Sequence, residues 1–294
     1  MKLIKKFFLI STVTFSSLAQ ALVDYSEPVS APEPSKSASS MARSMQKMPE
    51  RAGQKSLAWK ADYSLITNYE SMEIEDQKFG VMNIAAHIQT PFDVFFDASY
   101  WNASGEESSQ AGNPRLLLGF NWLRLGSPSE EARFNLYGGA RLPSSSVLGS
   151  SRTDKIFGVE TTKRFGTFGL GVGYEITLTG TPKQQDEQAI GDISRLSVSG
   201  GWMVSNDIQF EVEAENFKIA KASGTHASAL GEDVSFSTLS PKLNLGLFPA
   251  LNLELGARFR LKKAKEGLGL LNAGVFDLHG AHTNSLFAGL NFSI

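Results

Sequence analysis

The chain has no cysteine among its 294 residues. That excludes a disulfide framework, a thiolate metal site and the lipid anchor that a lipoprotein needs at its cleavage site. It has only four histidines and no excess of basic charge, with a formal net charge of −2. A nucleic-acid partner asks for a basic face, so that class is set aside. Past the N-terminus, no stretch reaches the roughly 18 apolar residues of a membrane-spanning helix. No glycine-rich phosphate loop or zinc-ligand spacing is present, and the sequence points to no cofactor and no metal.

What is there begins with an export signal. Lys2, Lys5 and Lys6 precede an apolar stretch from Phe7 to Phe15, and Ala19-Gln20-Ala21 offers small residues for cleavage. Residues 1–21 therefore read as a signal peptide. Cleavage removes three lysines and no acid, leaving a more negative mature chain. Residues 22–56 hold Pro28, Pro32, Pro34 and Pro49 among many serines and alanines. Such a composition buries too little apolar surface to fold alone. Met41, Met45 and Met48 sit at helical spacing within it, so a short helix is read there, either transient or docking in a barrel mouth as a plug.

From Leu57 onward the pattern changes to period two, the signature of strands with one apolar and one polar face. Twelve such strips follow. They include Leu57 to Leu65, Met82 to Ile88, Leu116 to Trp122, Phe168 to Leu178, Leu251 to Leu261 and Leu286 to Ile294. Leu239 to Leu247 is the weakest, because Pro241 lies inside it and proline donates nothing to a ladder. Short connections alternate with longer polar ones over roughly 69–78, 102–113, 143–153, 180–189, 221–232 and 263–281. The expected fold is all-β: an antiparallel up-and-down transmembrane β-barrel over residues 57–294, with short periplasmic turns, longer extracellular loops and both termini periplasmic.

In this pattern the chain resembles Gram-negative outer-membrane β-barrel proteins, at the level of the general class. Its end, from Ser285 to Ile294, resembles the terminal-strand signal read by barrel-assembly machinery, although such signals usually close on an aromatic and here Phe292 lies two residues before the end. The resemblance implies outer-membrane lipid, lipopolysaccharide and that machinery as partners.

On this register the charged outward residues are Arg124, Lys155, Lys163 and Asp192, all near strand ends. Aromatics gather beside the short turns. Trp59, Phe92, Trp122, Phe168, Trp202, Phe248 and Phe292 are read as a periplasmic aromatic girdle, joined by Phe134 and Phe210.

The inward face carries both signs. Its acids are Asp62, Asp97, Glu160, Glu175, Glu211, Glu213, Glu215 and Glu254. Its bases are Lys60, Arg115, Arg133, Arg141, Arg164, Arg195, Lys242, Arg258, Arg260 and Lys262. The candidates for a lumen filter are Glu211, Glu213, Glu215, Glu254, Arg115, Arg133, Arg141, Arg195, Arg258 and Arg260. Either the signs face each other across water and select small polar solutes or ions, or arginines meet acids and close the lumen. Twelve strands lie between a filled barrel and an open pore, so size does not decide. The small inward residues Gly169, Gly171, Gly173, Ser197, Ser199 and Gly201 leave room for a narrow porin-like channel. The alternatives are a closed-lumen structural or surface-recognition barrel acting through its loops, and a barrel hydrolase.

No catalytic constellation emerges. His87 is expected inward, satisfied by neighbours such as Asn83 and Gln89. His226-Ala227-Ser228 lies in a loop. Asp277-Leu278-His279 has the Asp-x-His spacing of omptin-type proteases without the paired acids, and His279 with His282 is a weak metal candidate. The apolar Gly267-Leu268-Gly269-Leu270-Leu271 run reads as a partner patch or, more simply, as an extension of the last two strands, with 273–278 pairing back on itself.

Overall fold

A computed structural model describes residues 62–293, apart from 75–76, 91, 106–108, 128–129, 147, 185–186, 206, 224–226, 249, 265–269 and 271–272. The signal peptide, the 22–56 segment, Trp59, Lys60 and His226 lie outside the described residues.

The period-two strips become β1 (Asp62–Ile74), β2 (Gln77–Gln89), β3 (Val94–Ser104), β4 (Ser109–Ala111), β5 (Arg115–Leu125), β6 (Ala132–Arg141), β7 (Asp154–Phe165), β8 (Phe168–Leu178), β9 (Ile193–Ser205), β10 (Ile208–Ile219), β11 (Val234–Phe248), β12 (Leu251–Lys262) and β13 (Ser285–Ser293). All pair antiparallel with their neighbours in one sheet. β13 pairs with β1 through Leu65↔Phe292 and Ser71↔Leu286, so the sheet closes on itself. Twelve strands make the ring. β4 pairs only with β3 and lies outside it. Closure satisfies every edge, which is what a medium without water demands.

The two faces are inverted relative to a water-soluble protein. Leu118, Val172, Leu196, Phe259 and Leu286 are exposed on the outer surface. Glu160, Glu211, Glu213, Arg195 and Lys242 are buried within. An apolar belt around a charged interior is stable where lipid covers the belt. Lys155, Lys163 and Asp192 lie at strand ends, where a charge costs little. Asp192 there accepts the Thr179 backbone N–H at 3.0 Å.

Large inward side chains fold over inward glycines on the next strand. Phe95 pairs with Gly119, Tyr137 with Gly158 and Phe287 with Gly256. A Cβ on Gly158 would lie 2.0 Å from the Tyr137 ring, and one on Gly119 2.2 Å from Phe95. Glycine at these positions lets an aromatic lie flat against the wall, leaving the centre free.

Two expectations change. First, 69–78 is not a loop. β1 and β2 run together to Ile74↔Gln77, because a strand that leaves the membrane no longer needs apolar residues outside and its alternation fades. Second, Arg124 is not outward. The β5–β6 pairing passes from Asn121↔Asn135 to Leu123↔Phe134, so Trp122 is a bulge and parity reverses after it. Arg124 then faces Asp93 and Glu131 and pairs with both. The strip that holds Pro241, the weakest of the twelve, is a strand as expected. Pairing with β10 runs unbroken through Val212↔Pro241. Towards β12 no pair falls at Ser240 or Pro241, so the missing N–H costs the ladder only there.

Candidate functional site

The short-turn end and the long-loop end of the barrel differ sharply. At the long-loop end, the connection between β12 and β13 turns back across the mouth. Val275 and Phe276 are fully buried, as are Leu270 and Ala273. On one side Leu270, Ala273 and Val275 pack with Ile190, Phe217 and Phe236 of the β9–β11 wall and its loops. On the other, Phe276 fits between Phe79 and Trp101, with ring centroids 5.6 and 5.2 Å away. A 3-10 turn at His279–Ala281 brings Gly280 against Thr238 of β11. Asp277 reaches Arg141 of β6 at 3.0 Å. This segment is a cap touching three sides of the mouth. Of the Gly267–Leu271 run only Leu270 is among the described residues, and it is buried; 273–278 pack into the mouth and do not pair back on themselves as strand. Burying Leu270, Val275 and Phe276 contributes about 1.5–3 kcal/mol each.

A second lock holds the loops around the cap. Arg152 is fully buried between Asp154, at 3.0 Å, and Glu187, at 3.7 Å. Its guanidinium also donates to the Ala273 carbonyl at 2.6 Å.

Below the cap the charges meet in pairs. The β10 acids Glu211, Glu213 and Glu215 occupy successive inward positions, as read from the sequence. Arg195 on β9 holds Glu215 at 2.6 Å and Glu213 at 3.3 Å. Lys242 on β11 meets Glu213 at 3.0 Å and Glu211 at 3.7 Å. Glu254 is buried on β12. Arg115 reaches from β5 to Glu175 on β8 at 2.5 Å, and Tyr137 donates to the same carboxylate at 3.0 Å. Arg141 adds Asp154 at 3.3 Å to its Asp277 contact. Arg258 is paired with Glu70 at 2.9 Å. Arg133 pairs with Glu131 at 3.0 Å. Arg260, at the long-loop end of β12, bonds the His282 carbonyl. Lys262 is exposed and donates to Ser235 at 2.5 Å. Buried ion pairs contribute little net stability, since desolvation offsets their attraction.

Of the aromatic set, Phe92, Trp122, Phe168, Trp202, Phe248 and Phe292 are exposed beside the short turns. His87 is buried and inward, but its partner is Asp97 of β3 at 2.5 Å, not Asn83 or Gln89. Asp277 is engaged with Arg141. Sequence reasoning missed Glu70, placed in a loop, the loop residues Arg152 and Glu187, and Asp154 at the start of β7. Phe79 and Trp101, which seat the cap, were missed as well.

Between cap and ion pairs lies a cavity of about 90 Å³, partly open to solvent. Arg115, Arg141, Arg195 and Arg258 enter it from four strands, with Glu175, Glu215 and Asp277 among them. Trp101, Phe217 and Leu278 supply an apolar flank. A much smaller space of about 10 Å³, lined by Glu160, Gly173 and Ser197, adjoins it through Glu175 and Arg195. The Ser197 hydroxyl lies 2.6 Å from where a Cβ on Gly173 would stand, so these small residues pack against each other and leave little open space.

No protein-family model and no curated protein matches the chain. Among solved structures, an outer membrane channel from Pseudomonas putida F1 is similar, with a TM-score of 0.56 and 8% identity, over 79% of this chain and 94% of that one. The NanC porin is similar with a TM-score of 0.50 and 9% identity, over 78% of this chain and 98% of that one. The fold is that of outer-membrane β-barrels.

Proposed function

We propose that the protein is a narrow outer-membrane channel for small polar solutes, with its mouth controlled by the cap between β12 and β13. On this reading the short turns and both termini face the periplasm, the cap faces outward, and the exposed aromatics beside the short turns sit at the periplasmic lipid interface. One observation carries it. The interior holds a polar cavity lined by both signs of charge, directly beneath the cap. A barrel serving only as a structural element has no use for such an interior, and apolar packing fills a lumen with fewer desolvated charges. The similarity in fold to a channel and a porin is consistent with it.

Reconstitution of the protein lacking residues 1–21 into a planar bilayer tests the proposal. Discrete single-channel steps are expected, small because charged side chains occupy the lumen. A barrel that is correctly folded by heat-modifiability on gels, yet silent with the cap intact and with it removed, overturns the channel and leaves the loop-recognition reading.

A further inference from the structure

We propose that the cavity beneath the cap is a binding site for a small organic carboxylate. The inference rests on the reading of the barrel as a solute conduit and names the solute class.

The case begins with unmatched hydrogen-bonding atoms. Arg115, Arg141 and Arg258 each have a buried Nε–H with no acceptor, and so does the Trp101 indole. All four residues line the cavity. Against them stands one unmatched acceptor there, Asn83 Oδ1. Arg141, Arg258 and Trp101 are each more than nine-tenths buried. These atoms are covered by their neighbours and reach a ligand only when the side chains turn toward it; a buried donor left unpaired is costly, so four such donors against one acceptor favour a ligand rich in acceptors. A guanidinium offers five donors and no acceptor, in a planar fork that matches a carboxylate.

The wall already contains the interaction it would offer. Arg115 binds the Glu175 carboxylate, Arg141 that of Asp277, and Arg258 that of Glu70. Asp277 belongs to the cap, so a ligand carboxylate at Arg141 takes the place of a group able to withdraw. The apolar flank of Trp101, Phe217 and Leu278 distinguishes an organic acid from an inorganic anion. A hydrocarbon body lies against these side chains while its carboxylate faces the arginines.

Benzoate, its neutral analogue benzamide and inorganic phosphate serve as probes, titrated calorimetrically into the folded protein in detergent. Benzoate is expected to bind at one site, at least about tenfold tighter than benzamide or phosphate, since charge-assisted bonds are the strong ones. Arg141→Gln and Arg115→Gln are each expected to weaken benzoate about tenfold. Trp101→Phe keeps the ring, guards against a folding artefact, and is expected to weaken it several-fold. Equal affinity for benzoate and benzamide, equal affinity for benzoate and phosphate, or no binding by a folded barrel overturns the inference. Because detergent binding needs no transport, the two readings fail separately. A silent barrel that binds benzoate loses the channel and keeps the site, and a conducting barrel indifferent to benzoate loses only the site.

Discussion

Replacing residues 264–283 by a short Gly-Ser turn is expected to raise single-channel conductance several-fold and to turn brief openings into a steady current. The segment removed carries Val275, Phe276 and Asp277, which cross the mouth from the Trp101 side to Arg141. The strands it joins are already held together below it by Arg258↔Ser285 and the pairs beyond. The barrel should therefore still close, and a folded, heat-modifiable product is the control. The segment also contributes several buried apolar side chains, each stabilising by about 1.5–3 kcal/mol. A lower urea midpoint should accompany the higher conductance. Unchanged current in a folded variant would mean that the constriction lies in the ion pairs below.

The second large effect concerns those ion pairs. Arg195→Met leaves Glu213 with Lys242 but takes from Glu215 its ion-pair partner, in an interior where the two acid side chains are 2% and 8% exposed. Removing one partner of a buried pair costs about 3–5 kcal/mol, because Glu215 then keeps a buried charge with only the Thr238 hydroxyl, among the described residues, donating to it. The urea midpoint should fall with little change in its denaturant slope. Adding Glu215→Gln to Arg195→Met should restore part of the loss, since the two residues act on one network and their effects do not add. A loss below about 1 kcal/mol would indicate that water already reaches the pair, and so a wider lumen.

The closed twelve-strand fold was legible because lipid imposes a strict rule on each residue of the belt. Leu116, Leu118 and Phe120 are outward as their alternation required, and Glu211, Glu213 and Glu215 inward. The rule weakens wherever lipid is absent. β1 and β2 run past the belt with polar outer residues, so 69–78 read as a loop and Glu70 went unnoticed as the partner of Arg258. A single bulge at Trp122 reversed Arg124, and one extra residue leaves no mark on composition. The sign of each inward charge was legible but its partner was not. Arg115 reaches past two strands to Glu175, a distance that only the diameter and tilt of the barrel define. The cap was least legible of all. Leu270 read as part of an exposed apolar run or a strand extension, and Val275 and Phe276 as part of a stretch pairing back on itself, because nothing local states that a loop turns inward to meet Phe79 and Trp101.

The absence of native cysteine makes one measurement especially direct. A Cβ on Gly280 would lie 3.3 Å from the Thr238 Cβ, close to the separation a disulfide spans. The doubly substituted Gly280→Cys/Thr238→Cys protein can thus fasten the cap to the wall of β11. Recorded in one bilayer before and after a reductant, it should be silent while oxidised and conduct like the unsubstituted protein once reduced. Equal currents in the two states, with the crosslink verified, would contradict a conduit that runs beneath a movable cap.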